Sequence, residues 1–326
     1  MEKIAHFSTQ NLHGYAINYS NILPDTIGCV CSANYGIAGP GTVYYIEFLP
    51  ESCGKSVKSV AVKNWPSGLF DISCHPRDSP IFATSSADGS IQIWNKSTQH
   101  PFQVVHTKPV CILEGHKAEI YSVRWNQHFE NILVSGSWDN TAVVWDTLKA
   151  VPVEVMNGHT DLVYASIWSP NDSKQILTAS GDRTARVWDI SCGSKSVVTL
   201  KNHTSEVLTC DWSKLNQNVV VTGSVDKSIA VWDMRSTSAP LKKLLSHNFA
   251  VKSVKCSPHE ETVVASSSYD FTTRIWNFSK SSNPSITLSY HKEFVYDIDF
   301  HPFNKGEIAD CSWDKSVFLY SPIDMT

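Results

Sequence analysis

The feature that most restricts what this chain can fold into is a triplet, Ser-x-Asp, that returns at Ser86/Asp88, Ser137/Asp139, Ser180/Asp182, Ser224/Asp226, Ser268/Asp270 and Ser312/Asp314. Successive Asp residues lie 51, 43, 44, 44 and 44 positions apart. Six positions after each stands an aromatic side chain: Trp94, Trp145, Trp188, Trp232, Trp276 and Tyr320. Upstream runs a column of His116, His159, His203, His247 and His291, each 23 positions before its Asp. A repeat of this length marks a unit that cannot bury its apolar face alone and must pack against copies of itself.

Each period reads as four short strands. Ile120–Trp125 and Ile132–Ser135 are rich in β-branched and apolar residues and are separated by polar turn residues. Thr141–Trp145 forms a third strand and Val151–Met156 a fourth. Four strands in 43–44 residues is the pattern of a propeller blade. The recurring His, Ser/Thr, Asp and Trp, with literal Trp-Asp pairs at 145–146, 188–189 and 232–233, resemble the WD-repeat family. Two units depart from the pattern. The second has Trp65 where the His belongs, and the long connection Lys96 to Lys108 accounts for its 51-residue spacing. The first, His13 to Phe48, has no Ser-x-Asp; its Tyr15–Tyr19 strand aligns with the Ile120 strand, and Tyr35–Gly41 stands in for the turn. The expected fold is therefore all-β: one seven-bladed propeller domain over residues 1–326. The seventh set ends at Tyr320, so residues near Lys3–Ser8 are expected to supply its outer strand and close the ring, because an unpaired edge invites aggregation.

Composition narrows the function. Twenty-seven Lys and Arg against 31 Asp and Glu leave no basic surplus for nucleic acid or an anionic membrane. No run of 18 apolar residues spans a bilayer, and Met1–His6 has no apolar core of a secretory leader, so the sequence points to the cytosol. Nine Cys, mostly in strand-like runs, read as buried free thiols in a reducing compartment; Cys29-x-Cys31 lacks the spacing of a zinc site, and no metal or cofactor is expected.

His, Ser/Thr and Asp at fixed spacing invite comparison with a hydrolase triad. Four positions before the repeat Asp stand Thr84, Ser135, Thr178, Thr222, Ser266 and Asp310. An enzyme needs one such constellation, whereas five equivalent copies are scaffold. The WD-repeat resemblance implies that His116, Asp139 and Trp145, His159, Asp182 and Trp188, His203, Asp226 and Trp232, and His247, Asp270 and Trp276 form buried hydrogen-bonded chains. No catalytic residue is assigned. Gly36, Gly39 and Gly41 are followed by no Lys-Ser/Thr and read as an inter-strand loop rather than a phosphate cradle.

Function is then expected at positions the repeat leaves free. In WD-repeat proteins three such positions per blade face one side of the ring. The first, before the repeat Asp, holds Ala87, Trp138, Gly181, Val225, Tyr269 and Trp313. The others hold Glu119 and Tyr121, Leu162 and Tyr164, Glu206 and Leu208, Ala250 and Lys252, and Phe294 and Tyr296, with Gly68, Phe70, His13 and Tyr15 from the irregular units. Grouped aromatics mark a protein interface. With Asp161 and Glu293 nearby, this face suits an amphipathic helix carrying basic residues.

Residues outside the repeat narrow the resemblance. Tyr35-Gly-Ile-Ala-Gly-Pro-Gly-Thr42, Gly68-Leu-Phe-Asp71, Ser268-Tyr-Asp-Phe-Thr272, Trp276-Asn-Phe-Ser-Lys280 and Ala309-Asp-Cys-Ser-Trp-Asp314 together resemble the receptors for the type-2 peroxisomal targeting signal. That resemblance implies a receptor shuttling between cytosol and peroxisomal matrix. It would bind a short N-terminal helix of cargo enzymes, bearing a basic residue early and His or Gln with Leu later, together with a peroxin co-receptor and the docking machinery. The expected cargo contacts are Glu119 and Glu206 for basic side chains, and Tyr121, Trp138, Tyr164, Tyr269, Tyr296 and Trp313 for the apolar stripe. A rival reading is a substrate receptor of a cullin-type ubiquitin ligase, from the single Trp232-Asp-Met-Arg235 docking motif. A histone-binding propeller is a further rival, although such proteins carry an additional N-terminal helix.

Overall fold

The computed structural model describes residues 2–52, 54–77, 81–95 and 108–321. Among these, the strands form seven four-stranded antiparallel sheets. Blade three shows the rule: Ile120–Trp125, Ile132–Ser137, Thr141–Asp146 and Val151–Asn157 follow one another outward from the centre. Blade one, inferred from alignment of one strand, is present as His13–Tyr19, Thr26–Ser32, Gly41–Glu51 and Gly54–Trp65. The connection expected between Lys96 and Lys108 lies almost wholly outside the described residues.

Ring closure follows the sequence expectation. Lys3–Ser8 pairs antiparallel with Ser316–Tyr320, His6 opposite Phe318, and completes blade seven. One sheet is thus built from both ends of the chain. At the seam, the Lys55 ammonium of blade one is buried between Asp25 and Glu307, 2.6 Å from the latter. Asp25 and Glu307 also lie beside His301 in a cluster of metal-ligand type, but Lys55 already caps both carboxylates.

The polar columns are buried relays. His116 Nδ1 lies 2.8 Å from Asp139 Oδ2, its Nε2 2.8 Å from Ser135 Oγ, and the Trp145 indole donates to the same hydroxyl at 2.8 Å. The pattern repeats at His159/Asp182/Thr178/Trp188, His203/Asp226/Thr222/Trp232 and His247/Asp270/Ser266/Trp276. Burial works against the ionised forms of Asp139, Asp182, Asp226 and Asp270. Hydrogen bonds from the His and from Thr141, Thr184, Ser228 and Thr272 outweigh it and hold all four well below the usual carboxylate range.

Two blades satisfy the relay differently. In blade two the Trp65 indole donates to Asp88 at 2.7 Å in place of the missing imidazole. Buried Gln92 bridges the remaining gap, joining Thr84 at 2.9 Å to Ser90 at 2.6 Å, and Ser90 reaches Asp88. In blade seven Asp310 replaces the hydroxyl, so His291 lies 2.9 Å from one carboxylate and 2.8 Å from another, Asp314. Burial opposes the imidazolium, yet Asp310 and Asp314 raise the His291 pKa to about 9.

The innermost strand of each sheet has a free edge on the central channel, and in blades one, two, three and six side chains of the preceding blade accept from its amides. Asp71 accepts from the Val123 amide, Ser73 from Trp125, Asn18 from Cys74, Asp211 from Cys256, and Asp297 and Asp299 from Ile17 and Tyr19, all at 2.7–3.1 Å. A buried unpaired amide would cost roughly 1–3 kcal/mol, so these bonds help fix those four blades to the ones before them. The bulky repeat aromatics Trp94, Trp145, Trp188, Trp232, Trp276 and Tyr320 are fully buried in the blades.

Candidate peptide-binding face

The turns joining the second and third strands of blades two to seven all use a left-handed residue after the repeat Asp: Gly89, Asn140, Arg183, Lys227, Phe271 and Lys315, at φ between 67° and 80°. These turns and the entries to the innermost strands lie on one face of the ring. The eight residues expected to contact cargo are all there, and the rings among them join into two clusters that meet across the channel.

The first cluster is Tyr121, Trp138 and Tyr164. Tyr121 stacks on Trp138 with centroids 5.5 Å apart and meets Tyr164 edge-on at 5.7 Å. Phe70 extends it toward blade one, 5.1 Å from Tyr121 and 5.4 Å from Tyr15. The second is Tyr269, Phe294, Tyr296 and Trp313, with Tyr296 stacked on Trp313 at 5.0 Å and Tyr269 4.6 Å from Phe294. The Tyr121 and Tyr296 hydroxyls lie 2.9 Å apart and tie the two clusters together. Burial raises the phenols of Tyr121, Tyr164 and Tyr296, and takes Tyr269 to about 12, so all are neutral donors at physiological pH.

The face is not equally open. Trp138, Tyr164, Tyr269, Phe294 and Trp313 are half-buried, whereas Tyr296 is 6 % exposed, and Tyr15 and Phe70 are also buried. Tyr296 therefore supports its neighbours with most of its ring and leaves little for direct contact. More exposed rings stand at positions the repeat columns did not single out. Tyr35, 54 % exposed, stacks on His13 at 4.1 Å and lies 5.1 Å from Trp313. Its loop can lie there because Gly36, at φ 70°, is pressed on Phe70 and Tyr15; a Cβ would come within 2.8 Å of the Phe70 ring and of the Tyr15 hydroxyl. Phe271 occupies the left-handed turn position of blade six and stays exposed beside Phe294. A bulky aromatic is an unfavourable choice at positive φ, where Gly or Asn is the ordinary solution. That mismatch was the available sequence signal.

Acidic groups form an arc on blades three to five. Glu206 accepts from the Tyr164 hydroxyl at 2.9 Å, which fixes its carboxylate against the aromatic surface. Asp161 is exposed, and a Cβ at Gly181 would approach its carboxyl carbon to 3.0 Å, so the missing side chain leaves it room. Glu119 is half-buried at the blade-three end of the arc. Lys252 is the cation of the channel mouth, 4.8 Å from the Tyr121 and Tyr296 ring centroids. A continuous apolar surface bordered by acids on one side is fitted to a ligand that is apolar along one face and basic along its flank.

A family model for the WD domain, G-beta repeat, matches residues 55–95, 107–146, 150–189, 194–233, 238–277 and 282–321. The chain belongs to the WD-repeat family. Each WD match begins on the outer strand of one blade and runs into the inner strands of the next, which is why the last blade borrows its outer strand from the N-terminal end. A peroxisomal targeting signal 2 receptor of Mus musculus is 39 % identical over 135 residues, 41 % of this chain and 39 % of that protein. One from Homo sapiens is 38 % identical over 139 residues, 42 % of this chain and 40 % of that protein. The aligned part thus spans about two fifths of the length of these relatives. The solved WD40 propeller domain of Doa1 superposes with a TM-score of 0.79, covering 99 % of this chain and 97 % of that one at 19 % identity, and shares its fold.

Proposed function

We propose that this propeller is a receptor for the type-2 peroxisomal targeting signal, which binds the helical signal of cargo enzymes on its aromatic face and, with a co-receptor, delivers them from the cytosol to the peroxisomal matrix. The observation that carries this reading is the juxtaposition of the joined aromatic clusters with the Glu119–Asp161–Glu206 arc. Trp138, Tyr164, Tyr269 and Trp313 offer the apolar seat, with Tyr121 and Tyr296 beneath them, and Glu119 and Glu206 take the basic side chains. The role is binding and not catalysis: the His–Asp pairs that could suggest chemistry are buried relays. Similarity to proteins named as receptors for this signal supports the same reading.

Physical magnitudes favour shared capture. A single short helix in water is marginal, and exposed ion pairs contribute about 0–1 kcal/mol each. Two or three acids therefore orient the signal, while apolar burial and a second protein closing over the helix supply affinity. Charge reversal at Glu206 would place a cation beside Tyr164 and repel the basic flank. A pull-down of a signal-bearing reporter by Glu206→Lys should recover several-fold less than wild type; equal recovery would remove Glu206 from the interface.

A further inference from the structure

Two aromatic side chains of the candidate face stand where the backbone disfavours them. Asn34, Tyr35 and Gly36 follow one another at φ 44°, 57° and 70°. Asn and Gly tolerate this left-handed conformation, and a bulky ring set between them is out of place. Phe271 stands at φ 67° in the turn of blade six, where blade two has Gly89 and blade three Asn140. Packing accounts for neither choice. Tyr35 is 54 % and Phe271 39 % exposed; the first lies against His13 and Trp313, the second against Phe294. Strain of this kind persists only where the surrounding fold enforces it, and it gathers at ligand-binding positions.

The two rings also end the same row. Between ring centroids, Tyr35 is 5.1 Å from Trp313, Trp313 is 5.4 Å from Phe294, and Phe294 is 5.8 Å from Phe271. The row runs from the blade-one loop across blade seven to the blade-six turn. Its spacing matches the pitch of an α-helix, about 5.4 Å, at which the side chains of one apolar stripe recur turn by turn. Four rings so spaced make a track for about three helical turns. Trp313 joins this track to the rest of the face: it stacks on Tyr296, whose hydroxyl meets that of Tyr121, and Tyr121 meets Tyr164, which donates to Glu206. The track on blades six, seven and one and the acids on blades three to five are thus opposite borders of one surface.

We infer that Tyr35 and Phe271 are further peptide-binding residues, holding the two ends of a ring track that takes the apolar stripe of the docked helix. The inference rests on the signal-receptor reading above and deepens it, because it sets the line along which the helix lies: between blade one and blade six, with its basic flank turned across the channel to Glu119, Asp161 and Glu206. The left-handed backbone holds both rings out of the core. Asn or Gly would suit each turn better and would leave the track without its ends.

The test is a fluorescence-anisotropy titration of the full chain with a fluorescein-labelled type-2 signal peptide, read beside Tm. Tyr35→Asn and Phe271→Asn should each weaken binding about five- to tenfold, as for interface hot spots, while the Tm of each equals or exceeds that of wild type. Tyr35→Phe and Phe271→Tyr, which keep the ring, should bind as wild type does. Phe303→Asn, which removes an exposed ring from the opposite face, should change nothing. Unchanged affinity in both Asn variants at the track would overturn the inference. So would a Tm several degrees below wild type in both, which would make the two rings packing residues. An equal loss in Phe303→Asn would overturn it as well, since the peptide would then be adhering to exposed rings anywhere. Binding that is lost in Glu206→Lys but indifferent to Tyr35 and Phe271 would leave the receptor reading standing and remove this one alone. Failure of the wild type to bind the peptide would remove both.

Discussion

Blade seven should give the protein a loss of stability at alkaline pH that one substitution removes. His291 is held between Asp310 and Asp314, and its pKa of about 9 lies above the ordinary 6.5 of an unfolded imidazole. A raised pKa contributes stability that is fully present below 6.5 and is lost as pH rises through the folded value. The interval of about 2.5 units corresponds to roughly 3 kcal/mol, most of it lost between pH 6 and pH 9. Asp310→Asn keeps the size of the side chain and an acceptor for His291 Nε2, but leaves Asp314 as the single carboxylate partner, as in blades three to six. The urea unfolding midpoint of the full chain, followed by Trp fluorescence from pH 6 to pH 9, should fall steeply for wild type. Asp310→Asn should start lower at pH 6 and change much less. Parallel curves for the two proteins would refute the argument that Asp310 holds His291 charged.

Other consequences are equally direct. In blade two, Gln92→Ala should cost about 2–3 kcal/mol, because it leaves the buried Thr84 and Ser90 hydroxyls without their bridge; a change below 0.5 kcal/mol in denaturant unfolding would contradict the relay. Deleting residues 2–8 should leave Ser316–Tyr320 as a free edge, and size-exclusion chromatography should show self-association that the full chain lacks. Trp138→Ala should weaken peptide capture at least tenfold, as for an interface hot spot, with little change in Tm; a large drop in Tm with unchanged capture would make Trp138 a packing residue instead.

What could be read from the sequence was what lies within one period. His116, Ser135, Asp139 and Trp145 are fixed in register by a single sheet, so their spacing encodes their hydrogen bonds. The same locality made Trp65 recognisable as the substitute for a missing His, and the need to pair the last edge placed Lys3–Ser8. Contacts between blades were not legible. Asp71 meets the Val123 amide 52 residues away, and Tyr121 meets Tyr296 at a separation of 175, through ring geometry that no spacing records. Gln92 illustrates a different limit: its position carries Val143, Ala230 or an Arg in other blades, and only a missing His makes a carboxamide there meaningful. On the candidate face the columns picked out rings that cluster together but could not separate Tyr296, wedged among other rings, from the open Tyr35 and Phe271.

The most direct test of the central claim is the fate of a fluorescent reporter carrying an N-terminal type-2 signal in cells that lack this protein, beside a reporter ending in the C-terminal Ser-Lys-Leu peroxisomal address. The receptor reading predicts that the first stays diffuse in the cytosol and returns to peroxisomes when the wild-type chain, but not Trp138→Ala, is restored, while the second is unaffected throughout. A type-2 reporter that reaches peroxisomes without this protein would contradict it.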